Sequence, residues 1–495
     1  MTKNNILNNK ITKVILFRIC FIIAITTALV CGLKLNIIND GFWHIKVGEY
    51  IIKNRIIPRE DIFSWYGIEN KLKWISHEWL FGVIAYLVYK IKGFTSVIIF
   101  SAIVNCSTAL LVYKFALIRN KNKVVSLIIM WVYIFGDFYD ITYRPVLISK
   151  LILLCSFILL EKKKYLFALI VLILGVNIHG GIYPLYLMIF AYYTIPFSYK
   201  YFIFSLISVL INPYGYNLYK YTYLSMKNID INRYINEWCI TPIYDYKVAL
   251  IIICITVCIC TVSKIKFKDF LFCGALIILA ISAKRHVDVI YMFVLPIISL
   301  YFNSFYLDFF MKFASRIKPE KLKSIISKLN YTTCGLLVVV MIVKSSLCIK
   351  QYFFNSCFHN FEYITNNSEN PIKACDFINS HQEIKNSRIF NDYNSSPYII
   401  FRGIKTFVDS RQDLFTYNFN KTNAFVDQIK ALNNYDYMIY VFKKYNIKYA
   451  ILRNDMPNTR LLRSTDLIYI MYEDRDYSIF QINRSKLKSS NQRGV

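Results

Sequence analysis

Between Val14 and Leu35 only Arg18 and Lys34 carry charge. At about 1.5 Å per residue, a helix of that length covers the roughly 30 Å hydrocarbon core of a bilayer. Both charges lie near the ends of the run, where long side chains reach the interface. Similar apolar runs recur to about residue 347. The chain is therefore expected to be mainly α, with a polytopic helical membrane domain over 1–347 and a soluble tail over 348–495. A cleaved signal peptide is not expected, because the first run is too long for an h-region and no small-x-small site follows it.

The formal net charge of +29 raises nucleic acid as a partner. Heavy use of Ile, Lys, Asn and Tyr, and the habit of membrane proteins to collect Lys and Arg on the cytoplasmic side, account for it better, so no nucleic-acid partner is expected. The 13 cysteines sit mostly in apolar runs such as "CITVCIC", Cys254 to Cys260. None of those has a zinc-like spacing, so they read as small core side chains.

Orientation follows from the basic clusters at Lys3–Lys13, Arg119–Lys123, Lys162–Lys164, Lys264–Lys268 and Lys312–Lys328. If all face the cytoplasm, the crossings fall at 14–35, 93–118, 124–140, 146–160, 165–178, 182–196, 201–211, 248–262, 269–283, 287–305 and 330–347, about eleven transmembrane helices with a cytoplasmic N-terminus. Trp79–Lys90 is too short to cross comfortably and would reverse every later cluster, so it reads as re-entrant or interfacial. The polar motifs then gather on the outer face: the first external loop (36–92), "YRP" at Arg144, "NIHGG" at His179, "NPYG", "NEW" at Glu237 and "KRH" at Arg285 and His286. The spans themselves mostly lack ionisable groups, which favours surface chemistry over transport.

The tail reads as a small α/β domain, extracytoplasmic by parity. "SRIFNDY", "KTFVDSR" and "IKYAILR" have strand character, "NAFVDQIKAL" has helix character, and "LIYIMYEDRDYSIFQI" reads as a hairpin turning at Asp474–Asp476.

Asp40 and His44, four apart, share one face of a helix, and His77 and Glu78 close the same loop. Two acid and histidine pairs suit proton transfer or binding of a divalent cation near an anionic lipid head; helix caps explain them about equally well. Asp61 fits a helix or turn cap. Arg144 and Arg285 suit a phosphate grip, with interfacial anchoring as the alternative, favoured for Lys284. The glycines beside His179 permit close backbone approach. Asp409 and Arg411, read as ending a tail strand, are structural or acceptor-facing.

The ordered set "NDGFWHIKVGEYI", "PREDIFSW", "WISHEWL", "YRP", "NIHGG", "NPYG", "NEW", "KRH", "FNDY" and "FVDSRQDLF" resembles a group of bacterial membrane proteins related to the GT-C glycosyltransferases. That superfamily includes oligosaccharyltransferase catalytic subunits, protein O-mannosyltransferases and lipid A aminoarabinose transferases. The resemblance implies transfer of a sugar from a polyprenyl-phosphate carrier to a glycan, lipid or protein acceptor of the envelope, on the outer face of the cell membrane. It makes Asp40 the reacting acid, with His44 and Glu78 beside it, Arg144, Arg285 and His179 on the donor phosphate, and His77, Asp61, Glu237 and His286 in support. The chain departs from the group at Ile38, where a second acid is often found, and at Ser395 and Ser396, where glycines often follow "FNDY" in the tail, away from the expected centre. The alternatives are a non-catalytic envelope assembly protein and, third, a transporter of a lipid-linked glycan.

Overall fold

In lipid, an apolar run can satisfy its backbone only by folding on itself as a helix, and the described residues of the eleven expected crossings are mostly helical. The computed structural model describes residues 3–33, 40–137, 141–195, 198–302, 304–305, 332–333, 335–351 and 370–489. The basic stretch Lys312–Lys328, Ile38 and residues 352–369 of the tail lie outside the described residues.

Two helices, α1 (Lys3–Gly32) and α5 (Phe94–Asn120), are long and apolar enough to cross a bilayer alone. The other expected spans are shorter: α6 (Lys123–Gly136), α7 (Pro145–Glu161), α8 (Tyr165–Ile178), α9 (Tyr183–Thr194), α10 (Tyr199–Val209), α13 (Lys247–Val262), α14 (Phe267–Ser282) and the helix at 335–351. The stretch expected at 287–305 is not one regular helix. It runs as a π turn (Ile290–Val294), a short α segment (Leu295–Ile298) and a 3-10 turn (Ser299–Tyr301), because Pro296 has no N–H to donate to the turn before it. Exposed apolar side chains such as Leu166, Phe167 and Ile170 on α8 and Val248 and Ile251 on α13 give the bundle a surface suited to lipid rather than water.

The two ends of the bundle differ. At one, Arg119 reaches Asp269 at 3.1 Å and Glu161 at 3.5 Å, and the hydroxyls of Tyr192, Tyr193 and Tyr301 donate to the same two carboxylates. The other end carries the first loop and the tail, folded together. Here α2 (Asp40–Asn54) lies against α4 (Trp79–Lys92). Glycines make that contact possible: a Cβ on Gly48 would stand 1.9 Å from the Gly82 carbonyl oxygen. Gly48→Ala is expected to push the two helices apart and cost about 1–3 kcal/mol, read as a lowered melting temperature of the purified protein. α4 is the segment read as re-entrant or interfacial. Its first turn packs into the core shared with the tail through Trp79 and Val83, and near its end Tyr89 meets the tail residue Phe401 at 5.7 Å. Residues at its start and near its end thus both pack against the region that holds the tail.

The tail forms a four-stranded sheet in the order β1–β2–β4–β3, with β1 (Ile389–Asn391) parallel to β2 (Tyr449–Arg453) and β4 (Tyr477–Ile482) antiparallel to β2 and β3 (Ile468–Glu473). Three of the expected strand regions and the helix (Ala424–Asn433) form as read. "KTFVDSR" does not. Gly403 turns the chain at φ +73°, and the edge that this segment offers is taken up by the first loop: Thr406 forms an isolated bridge with Ser64, and the Trp65 N–H donates to the Thr406 carbonyl at 2.9 Å. Trp65 also stacks on Phe407 and donates its indole N–H to the Ile389 carbonyl at 2.9 Å. Loop and tail thus share one core of Trp43, Trp65, Trp74, Phe390, Phe407 and Phe415.

Candidate functional site

Where the bundle meets this loop-and-tail cap, a cavity of about 1700 Å³ is lined by Asp40, His44, His77, Glu78, Arg144, His179, Glu237, Arg285 and His286. These residues come from segments that the sequence scatters over some 250 positions, and all of them were picked from the sequence. Asp61 and Asp409 are not on this wall.

Along one side runs a chain of alternating charges. Asp40, in the first turn of α2, takes the Trp43 indole N–H at 3.2 Å and pairs with Arg144 at 2.8 Å; Arg144 pairs with Glu237 at 2.9 Å, and Arg285 lies 3.6 Å from Glu237 and over the Trp238 ring. The acid and the guanidinium expected in separate roles are therefore ion-paired with each other. Burial pushes the Glu237 carboxyl up, but Arg285 and Arg144 outweigh it and hold the group below its usual range.

Across the cavity Glu78 stands at the start of α4 without capping it. Its carboxylate faces three imidazoles: His44 Nε2 at 3.5 Å, His77 Nε2 at 3.6 Å and His179 Nε2 at 3.4 Å. Gly180 brings two of these strands of chain together, its N–H donating to the His77 carbonyl at 2.9 Å, where a Cβ would crowd the same oxygen at 3.1 Å. Burial, reinforced by Asp40 and only partly opposed by Arg285 and Arg144, pushes the Glu78 carboxyl up to about 8. Burial lowers His44, His77 and His179, and lowers His286 to about 4. That direction favours the uncharged imidazole, the form that offers a lone pair. His77, Glu78 and His179 are also the group among the described residues that could hold a metal ion.

The tail was expected to stand away from the centre, and this is corrected. Asp392, Tyr393, Asn394, Arg411, Gln412 and Asp413 line the cavity, so the departure at Ser395 and Ser396 lies next to the site. Asp413 accepts a hydrogen bond from the Tyr221 hydroxyl, and Tyr221 lies 4.4 Å from the His77 ring. Arg411 and Asp409 do not end a strand. The Arg411 guanidinium is clamped by Asp409 and Asp61, each at 2.7 Å, with all three side chains buried, while Asp61 also accepts the Phe63 N–H and the Ser64 hydroxyl. Asp61 thus combines the expected turn cap with an ion pair to the tail.

Sequence reasoning missed Asp413, Tyr221 and a buried ion cluster in which Lys150 of α7 meets Asp137 and, at 3.2 Å, Asp288. A lysine inside an expected span was the signal for that cluster. Asp413 had only its place two residues after Arg411.

No protein-family model matches the sequence, and no curated protein matches it. Among the solved structures that are similar to the chain, two cover most of it. One is ArnT from Cupriavidus metallidurans bound to undecaprenyl phosphate, at 8% identity and a TM-score of 0.48, covering 95% of this chain and 98% of that one. The other is the oligosaccharyltransferase of Archaeoglobus fulgidus in the apo form, at 12% identity and a TM-score of 0.47, covering 94% of this chain and 74% of that one.

Proposed function

We propose that this chain is a membrane glycosyltransferase that moves a sugar from a polyprenyl-phosphate carrier to an envelope acceptor. The observation that carries the reading is one cavity with two characters. Its lining holds the charged Asp40, Arg144, Glu237 and Arg285 together with the apolar Leu153, Met188, Ile278, Met292 and Phe293. Ile278 is at once a lining residue and 71% exposed on the lipid-suited surface. An amphiphile with a phosphate head and a prenyl chain matches that division, because the chain gains from apolar burial and guanidinium groups match phosphate oxygens.

In this reading Arg144 and Arg285 exchange Glu237 for the donor phosphate and neutralise the charge that grows as the glycosyl bond breaks. Asp40, held by Arg144 and Trp43, accepts the proton of the acceptor hydroxyl. The tail edge at Tyr393 and Asp413 forms the acceptor side of the cavity. Each charge-assisted contact contributes about 1.5–3 kcal/mol, so Arg144→Ala and Arg285→Ala are each expected to weaken binding of a polyprenyl phosphate roughly ten- to hundredfold. Titration of labelled lipid into the purified protein measures this, and wild-type affinity in both variants would remove the phosphate assignment.

The same reading places the tail outside the cell. Reporter fusions after Ser380 and within Lys264–Lys268 are expected on opposite sides of the membrane. Both on one side would contradict the outer-face site.

A further inference from the structure

His77, Glu78 and His179 are spaced for a metal ion rather than for one another. Hydrogen bonds to nitrogen run about 2.7–3.2 Å, yet Glu78 Oε1 lies 3.6 Å from His77 Nε2 and 3.4 Å from His179 Nε2. Ligands about 2.1 Å from a tetrahedral zinc ion stand about 3.4 Å from each other; each imidazole stands about that far from the carboxylate oxygen, and the three donor atoms all lie within 4.8 Å of one another.

The tautomers point the same way. Ser149 donates its hydroxyl to the Pro145 carbonyl at 2.8 Å, so toward His179 Nδ1, 3.1 Å away, it accepts, and the His179 proton sits on Nδ1. His77 Nδ1 faces the Ile75 carbonyl at 3.3 Å, an acceptor only, so its proton also sits on Nδ1. Both Nε2 atoms therefore aim lone pairs at the same carboxylate oxygen. One proton on Glu78 answers one of them; a cation answers all three atoms. Holding the distal nitrogen by an oxygen acceptor is also how metal-binding imidazoles are oriented. His44 completes the arrangement from behind: it is 2% exposed, its Nε2 faces the other Glu78 oxygen at 3.5 Å, and its Nδ1 has no hydrogen-bond partner among the described residues.

We propose that His77, Glu78 and His179 bind one zinc-class divalent cation, with His44 as the positioning residue for Glu78. Two imidazole nitrogens and one carboxylate oxygen form a donor set that suits zinc and leaves a position open to the cavity, whereas magnesium and calcium prefer oxygen alone. The three residues line the same cavity as Arg144 and Arg285, so an anionic oxygen held by those guanidinium groups would be at hand for an open position. The use of the ion in transfer rests on the proposed function; its binding does not, since the readout is bound metal.

The test uses the full chain, purified without a polyhistidine tag, stripped with chelator and titrated with zinc and with cobalt. The wild type is expected to hold about one ion per chain, and the cobalt form to show the intense visible bands of a tetrahedral site. His77→Ala and His179→Ala are expected to lose the ion, and His44→Ala to weaken it about 10–100-fold. His381→Ala, in the tail and outside the cavity, is expected to bind as the wild type does. A wild type that binds neither ion overturns the proposal even if the variants misfold, as does unchanged binding in folded His77→Ala and His179→Ala.

Discussion

Asp40→Asn is expected to lower turnover by about 10²–10⁴ while leaving a folded protein. Loss of a general base has that size. The structural share of Asp40 is smaller: it starts α2 and is one of two acidic partners of Arg144, and Glu237 keeps the other side of that guanidinium. Losing a charge at a helix start costs about 1 kcal/mol or less. A melting profile near that of the wild type together with a rate loss of two or more decades separates chemistry from capping. Wild-type turnover by a folded Asp40→Asn protein would remove Asp40 from the mechanism.

Arg411→Ala is expected to be the most damaging single change to stability, at about 3–5 kcal/mol. The guanidinium sits between Asp61 and Asp409, both buried, and over the Trp74 and Phe63 rings at 4.5 and 5.0 Å. Without it, two carboxylates face each other away from water. Because Asp61 belongs to the first loop and Asp409 to the tail, the loss is expected to loosen the cap as well as lower the melting temperature. Limited proteolysis near the exposed Lys71 and Lys73 checks the loosening. The milder exchange Arg411→Lys keeps a charge but not the fork, and should fall between the two.

The helices over the apolar runs were legible because a long apolar run satisfies its own backbone only by coiling on itself, and two of them are long and apolar enough to cross a bilayer. The residues of the cavity were legible as types: acids, arginines and histidines at span ends are conspicuous against apolar chain, and Asp40, Glu78, Arg144, His179 and Arg285 do meet. Their pairings were not. Whether Arg144 meets a phosphate, Asp40 or Glu237 depends on how distant helix ends pack, and helix periodicity reports only neighbours three or four residues away. The same holds for the tail. Its β strands showed as short runs rich in apolar and aromatic residues, but "KTFVDSR" has strand-like residues and spends them on the first loop instead of the sheet, a tertiary preference that overrides local propensity. Asp413 follows closely on that segment and lines the cavity together with Tyr393.

The most direct measurement is donor consumption. Vesicles carrying the purified wild-type protein, a labelled polyprenyl-phosphate sugar pool and native envelope acceptors are followed for loss of label from the lipid and its appearance in acceptor. The expected result is time-dependent transfer by the wild type and a loss of at least about a hundredfold in Asp40→Asn. Folded wild-type protein that consumes no lipid-linked sugar from any pool supplied would contradict the account and favour an assembly role for the same cavity.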